Sequence, residues 1–233
     1  MSDPLRLNLG SGDAPLPGFT NVDALADAPG VDVVADLRQP LPFDDGAAEL
    51  IYASHVLEHL PYPEVPRILA DWRRVLRDGG RLLVAVPDLD VIAEQLVRRR
   101  GWFTPPHAPW IALIYGGNKD EYDVHRGGFT DVYLAGLLAE AGFGAIRRTE
   151  SFPEVGLRDA TQSFEPFGVN VSLNLRAIAG AEPFDLGLAR PWWPERIFDR
   201  TDRVIHAAMR ASTRGRALTM AVRQRALRRS LNG

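Results

Sequence analysis

Cysteine is absent from the 233 residues. Its absence excludes a disulfide framework, a thiolate nucleophile and a cysteine-ligated zinc, and makes a reducing compartment the simplest setting. Also missing is any apolar run near the ~20 residues that a membrane-spanning helix needs. The opening residues, Met1-Ser2-Asp3-Pro4-Leu5, hold no basic stretch leading into an apolar one, so no signal peptide is expected. A cytoplasmic protein is the expectation, and the C-terminal tail leaves peripheral contact with the inner membrane surface open. The body of the chain lacks a basic groove and an aromatic-studded RNA-binding motif. Residues 191–233 carry ten Arg against Glu195, Asp199 and Asp202, a charge of +7, so the net −3 leaves −10 on residues 1–190. An acidic body argues against nucleic acid as the main ligand, because phosphate backbones are gripped by Lys and Arg.

What is present is ordinary globular material, 45% hydrophobic and 24% charged. A chain this long buries roughly 70% of the surface its unfolded form exposes, enough for one substantial core without covalent staples. Strand-like and helix-like patterns alternate, the signal for an α/β sheet with helices on both faces. Strands are expected at Leu5–Leu9, Asn21–Asp23, Val31–Ala35, Glu49–Ser54, Arg81–Pro87, Ala145–Thr149 and Asn170–Ala177. Between Tyr62 and Leu76 the apolar residues Val65, Ile68, Leu69, Trp72, Val75 and Leu76 fall three and four apart, which predicts a helix stopped by Asp78-Gly79-Gly80. Asp88–Arg100, with Asp88 as cap, and Asp131–Ala141 are the other two helices expected. The stretch 101–128 clusters Pro, Trp, Tyr and Gly without a sustained period and reads as a long inserted loop or short helices, the kind of segment that often carries function.

One local feature is sharp. The apolar strand Leu5–Leu9 runs directly into Gly10-Ser11-Gly12, a turn whose glycines let a ligand approach bare backbone. In an open parallel sheet such a turn sits where nucleotide-like ligands bind. A dinucleotide fingerprint would need a small residue at position 15 and a helix to follow, but Pro15 and Pro17 stand there and Asp23 arrives too soon, so NAD is disfavoured.

Taken in series, the motifs Asn8-Leu9-Gly10-Ser11-Gly12, Asn21-Val22-Asp23, Ala35-Asp36-Leu37 with Leu41-Pro42-Phe43, Ile51 to Leu60, and Leu76 to Leu82 resemble the class I S-adenosylmethionine-dependent methyltransferases. The closer resemblance is to their small-substrate and glycan O-methyltransferase branch. It covers roughly residues 5–178 and implies a Rossmann-like seven-stranded sheet in a domain of residues 1–180. It implies S-adenosylmethionine as cofactor, with a divalent metal such as magnesium as a further option used by some sugar methyltransferases. Asp23 is then expected to accept from the ribose hydroxyls and Asp36 from the adenine amino group, beside Leu37. Asn8, Gly10, Ser11, Gly12, Ser54 and His55 complete the expected cofactor contacts. Asn8 departs from the family, which often has Asp or Glu there, and residues 13–20 leave little room for the usual first helix.

Methyl transfer from a sulfonium is an in-line displacement, and a base is needed only when the acceptor is protonated. His125, at the end of the glycine-rich run Tyr115–His125 in the insertion, is the first candidate. Similar segments ending in His occur in the branch this chain resembles. His55 is second and Asp88, past the fifth strand, third. Glu58 and His59 beside His55 have the look of a metal cluster, but a helix start packing the loop is the expected reading, so no metal ligands are assigned. Trp102, Phe103, Trp110, Tyr115 and Tyr122 offer either a platform for a sugar ring or a satellite core. His107 is expected to be structural or to touch substrate, and His206 lies on the tail.

The expected acceptor is a sugar hydroxyl of a saccharide or polysaccharide precursor. A small lipid, quinone or natural product is the alternative, and a catalytically silent cofactor-binding or membrane-docking scaffold is a reading from another class. Residues 181–233 form a basic tail in which Ile197, Thr201, Val204, Ile205, Ala208 and Met209 share a helical face. Docking on the body, homodimerisation or peripheral membrane contact are its open roles.

Overall fold

The computed structural model describes residues 5–98, 109–119, 121–156, 163–164 and 169–181. The chain divides into two units, Met1–Leu188 and Ala189–Gly233, and every described residue belongs to the first. The tail helices, Trp102, Phe103, His107, His206 and the side chain of Trp110 lie outside the described residues.

Among the described residues nine strands form in chain order. They are β1 (Leu5–Leu9), β2 (Thr20–Asp23), β3 (Val33–Val34), β4 (Ala48–Ser54), β5 (Leu76–Pro87), β6 (Phe143–Arg148), β7 (Ser163–Phe164), β8 (Val169–Asn170) and β9 (Ser172–Ala179). Seven of them make one sheet in the order β3-β2-β1-β4-β5-β9-β6, and β7 and β8 pair separately. From β3 to β5 all pairings are parallel, whereas β9 runs antiparallel between β5 and β6. This is a Rossmann-like sheet with one reversed strand, and it puts the carboxyl ends of β1, β2 and β4 on a common edge, where ligands of open α/β sheets bind.

Alternation along the strands sends two residue sets to opposite faces. Ile51, Ala53, Leu82 and Val84 join the larger core under helices α1 (Val65–Val75) and α4 (Asp131–Glu140), which contributes Leu134 and Leu138. Trp72 of α1 is fully buried there, so truncating it to Ala would cost about 3–5 kcal/mol. On the other face Leu50, Tyr52, Leu83 and Ala85 pack under Leu16, Phe19, Phe152 and Val155, all loop residues. A third cluster joins Ile92 of α2 (Leu89–Arg98) to Leu113 and Ile114 of α3 (Pro109–Tyr115).

The helix after β4 and its stop differ from expectation. The helix predicted over Tyr62–Leu76 is a 3-10 turn at Tyr62–Glu64 followed by α1, with Pro66 in its first turn. Asp78-Gly79-Gly80 does not stop it. The chain is already extended at Leu76, and the glycines form an irregularity in β5, where the β4 register shifts and Gly79 has φ +74°. A left-handed residue inside a strand is what glycine supplies.

As the prolines suggested, no helix lies between β1 and β2. Two buried amides hold this loop instead. Asn8 donates to Asn21 Oδ1 (2.9 Å) and to the Ala14 carbonyl (3.3 Å), and Asn21 Oδ1 also accepts from Leu16 N (2.8 Å). Among the described residues no helix is long and apolar enough to cross a membrane.

Candidate functional site

Gly10 sits at φ +64°, and a Cβ there would lie 2.5 Å from Val56 Cγ2, so both the backbone and the space demand glycine. The amides of Gly10 and Ser11 bond to the Val22 carbonyl at 2.8 and 3.1 Å, and Gly12 N donates to Asp23 Oδ2 at 2.8 Å. The turn is thereby locked to β2, leaving Gly12 facing open space. Asp23 Oδ1 accepts from Leu25 N. A carboxylate has about four lone-pair positions, so Asp23 keeps capacity for two hydroxyl donors.

Asp36 follows β3. Its oxygens chelate Arg38 Nε at 2.9 and 3.0 Å, and the Arg38 hydrogen bond holds the carboxyl below its ordinary range. The segment after it is tied to α1. Leu41 N donates to Asp71, and Arg74 reaches the carbonyls of Leu41 and Phe43 together with Asp45 and Asp71. Leu37 itself is buried in the larger core. Together Gly10, Gly12, Asp23, Asp36, Leu37 and His55 line a cavity of about 230 Å³.

Of the other residues expected at the cofactor, Asn8, Ser11 and Ser54 do not line this cavity. The Asn8 side-chain nitrogen is engaged in holding the β1–β2 loop. Ser11 and Ser54 bury hydroxyls that have no hydrogen-bond partner among the described residues.

The three candidate bases separate. Asp88 is fully buried, caps α2 through Asp90 N and Val91 N, and pairs with Arg148. It lines neither of these two cavities, and its hydrogen bonds are those of a helix cap. His55 borders the cavity at φ +55°, a strained position for a non-glycine residue. Both of its nitrogens are taken. Nδ1 donates to Glu58 Oε1 at 3.1 Å, leaving Nε2 to meet the Ser172 hydroxyl at 2.9 Å. With both nitrogens engaged, His55 is held in place at the cavity wall.

His125 is different. Its Nδ1 lies 3.1 Å from the Leu113 carbonyl, which can only accept, so the proton sits on Nδ1 and Nε2 keeps its lone pair. Burial pushes its pKa down, which favours the neutral ring. The loop that carries it is tightly built. Asn118 N bonds to the Asp123 carbonyl, His125 N bonds to that of Tyr115, and a Cβ on Gly116 would strike the Asp123 carbonyl oxygen at 2.3 Å.

Beyond it, Arg126 N and Gly127 N both donate to the Glu58 carbonyl, at 2.6 and 3.1 Å. That clamp brings the insertion onto the 3-10 helix Leu57–His59, which is the expected helix start after β4. The His59 and His125 rings meet edge to face, 4.7 Å between centroids. His59 lines the first cavity, and His125 lines a second of about 290 Å³ with Leu89, Ile92, Leu113, Ile114 and Tyr115. Arg126 lines both.

Sequence reasoning did not find Arg126 or the Glu58 clamp. Glu58 had a signal, a carboxylate three residues after one histidine and directly before another, whereas Arg126 reaches the site through loop packing that no local pattern encodes.

Residues 20–84 match the methyltransferase domain family. Over 170 residues, or 72% of its length, the chain is 40% identical to an uncharacterized 37.1 kDa protein in transposon Tn4556 of Streptomyces fradiae, and spans 44% of that protein. A SAM-dependent methyltransferase structure from Methanosarcina mazei superposes with a TM-score of 0.51 at 18% identity, covering 78% of this chain and 95% of that one. Another, from Thermotoga maritima, gives 0.49 at 16% identity, covering 77% and 84%. The fold is the Rossmann-like fold of S-adenosylmethionine-dependent methyltransferases.

Proposed function

We propose that this chain transfers the methyl group of S-adenosylmethionine to an oxygen of a small acceptor, with a sugar hydroxyl of a saccharide precursor as the acceptor class. One observation carries the reading: a cavity rimmed by the Gly12 amide and the carboxylates of Asp23 and Asp36 lies beside His59, which touches a histidine with a bare nitrogen. The donor set suits the cofactor. Its ribose diol and adenine amino group donate hydrogen bonds and its sulfonium is a cation, so carboxylates answer it where a dinucleotide would need phosphate-binding amides. In the role expected of them, Asp23 takes the diol and Asp36, with Leu37, takes the adenine.

In the transfer, the acceptor oxygen attacks the methyl carbon opposite the sulfur. Bound in the cavity, the cofactor would supply the methyl carbon and be released as a neutral thioether once the O–CH3 bond had replaced S–CH3, and His125 Nε2 would take the hydroxyl proton. Alignment supplies most of the acceleration, and a well-placed base adds roughly 100- to 10,000-fold. His55, held by Glu58 and Ser172, shapes the wall and moves no proton.

A second acceptor class has its own support. Leu89, Ile92, Leu113 and Ile114 give the second cavity an apolar lining, which favours a lipid, quinone or aromatic natural product bearing a hydroxyl. The test is incubation of the full chain with labelled S-adenosylmethionine and panels of saccharides and hydroxylated apolar compounds, followed by mass spectrometry. Label on a saccharide oxygen supports the first class and label on an apolar compound the second. Label on nitrogen or carbon, or on nothing, refutes O-methylation.

A further inference from the structure

We propose that Glu58, His59 and His125 form a binding site for a divalent transition ion of the zinc class, where the insertion meets the 3-10 helix. One ligand atom from each residue lies within 4.8 Å of the others. Zinc–nitrogen and zinc–oxygen bonds of about 2.0–2.2 Å hold neighbouring ligands roughly 3–4 Å apart, so side-chain rotations of about 1 Å close the set.

Unsatisfied atoms point the same way. Glu58 is 1% exposed, and its Oε2 has no hydrogen-bond partner among the described residues; neither has the buried His59 Nδ1. An orphaned carboxylate oxygen at that depth is costly unless something positive meets it.

The surrounding bonds have the form that supports metal ligands. His125 gives its other ring N–H to the Leu113 carbonyl, which fixes the tautomer with Nε2 bare, and Glu58 Oε1 is held by His55, which Ser172 holds in turn. The clamp from Arg126 N and Gly127 N to the Glu58 carbonyl fixes the two halves together. Two imidazoles and one carboxylate suit zinc, cobalt, nickel or iron(II), whereas magnesium prefers an all-oxygen shell. Three protein ligands leave at least one position open, and the second cavity adjoins His125.

The inference rests on the proposed O-methylation for its chemical purpose, though not for binding itself. With the ion in place His125 Nε2 is a ligand, and this replaces the role of base that the ion-free chain gives it. The acceptor hydroxyl takes the open position, its pKa falls, and its proton goes to solvent water. The methyl transfer is otherwise unchanged.

The experiment uses the full chain dialysed against chelator and then titrated calorimetrically with Zn²⁺. The proposal expects one ion per chain, a visible spectrum on Co²⁺ substitution, and at least about 100-fold weaker binding in His125→Ala and in Glu58→Gln. Glu58→Gln keeps an acceptor for His55, and thermal unfolding checks that both variants fold. No stoichiometric binding, or equal binding in wild type and both variants, overturns the proposal. Should the chelator-treated chain still bind S-adenosylhomocysteine and transfer methyl groups at full rate without Zn²⁺, the ion is dispensable and the O-methylation reading stands. Zn²⁺ binding without S-adenosylhomocysteine binding would uphold the ion site and sink the methyltransferase reading.

Discussion

The edge formed by β1, β2 and β3 and the junction around His125 lie side by side, yet they are finished differently. At the edge, apart from the buried Ser11 hydroxyl, backbone and side chains close on one another: the amides of Gly10 and Ser11 on Val22, Gly12 on Asp23, Asp36 on Arg38. At the junction, Glu58 Oε2 and His59 Nδ1 are buried without partners among the described residues, and the Leu113 bond leaves His125 Nε2 bare. Satisfied polar groups hold a shape for a ligand to fit, while unsatisfied ones are where chemistry or a cation belongs. The three candidate bases sort on this criterion, since Asp88 and His55 are fully engaged and His125 is not.

The largest effect that tests this contrast is His125→Ala. Turnover should fall by about 100-fold or more, with S-adenosylhomocysteine affinity changed less than about threefold, as read by steady-state kinetics and calorimetry. Unchanged turnover would remove His125 from the mechanism. Asp88→Asn should show the opposite signature. Weakening its pair with Arg148 and its cap lowers stability by about 2 kcal/mol in chemical denaturation, while kcat stays near wild type. Loss of kcat at full stability would return Asp88 to the site.

How much of this was legible follows from range. The β1 strand and its glycine turn, the α2 cap and the Asp23 and Asp36 strand ends are local patterns, and each lies where the sequence put it. Asp78-Gly79-Gly80 misled because a glycine pair after a helical period reads the same whether it ends a helix or bends a strand; the β4 pairing decides. The loop-holding bond of Asn8 was not legible, because its partner Asn21 lies across a loop. The coincidence of Glu58 with His125 spans the whole of β5 and the insertion, so only packing reveals it.

Smaller effects sharpen the edge side of the comparison. Asp23→Asn keeps an acceptor for Gly12 N but removes the charge, and should weaken S-adenosylhomocysteine binding about tenfold, near 1.4 kcal/mol. Asp36→Asn should weaken it only a few-fold, because Arg38 already occupies both oxygens. If the two variants rank the other way in calorimetry, the assignment of ribose to Asp23 and adenine to Asp36 is wrong.

The most direct measurement is calorimetric titration of the full chain with S-adenosylhomocysteine. Binding at one site per chain, weakened by Asp23→Asn and retained in His125→Ala, is the result the account predicts. No binding, or binding indifferent to both Asp23→Asn and Asp36→Asn, would contradict it, because the cavity at the ends of β1, β2 and β4 would then not be the cofactor site.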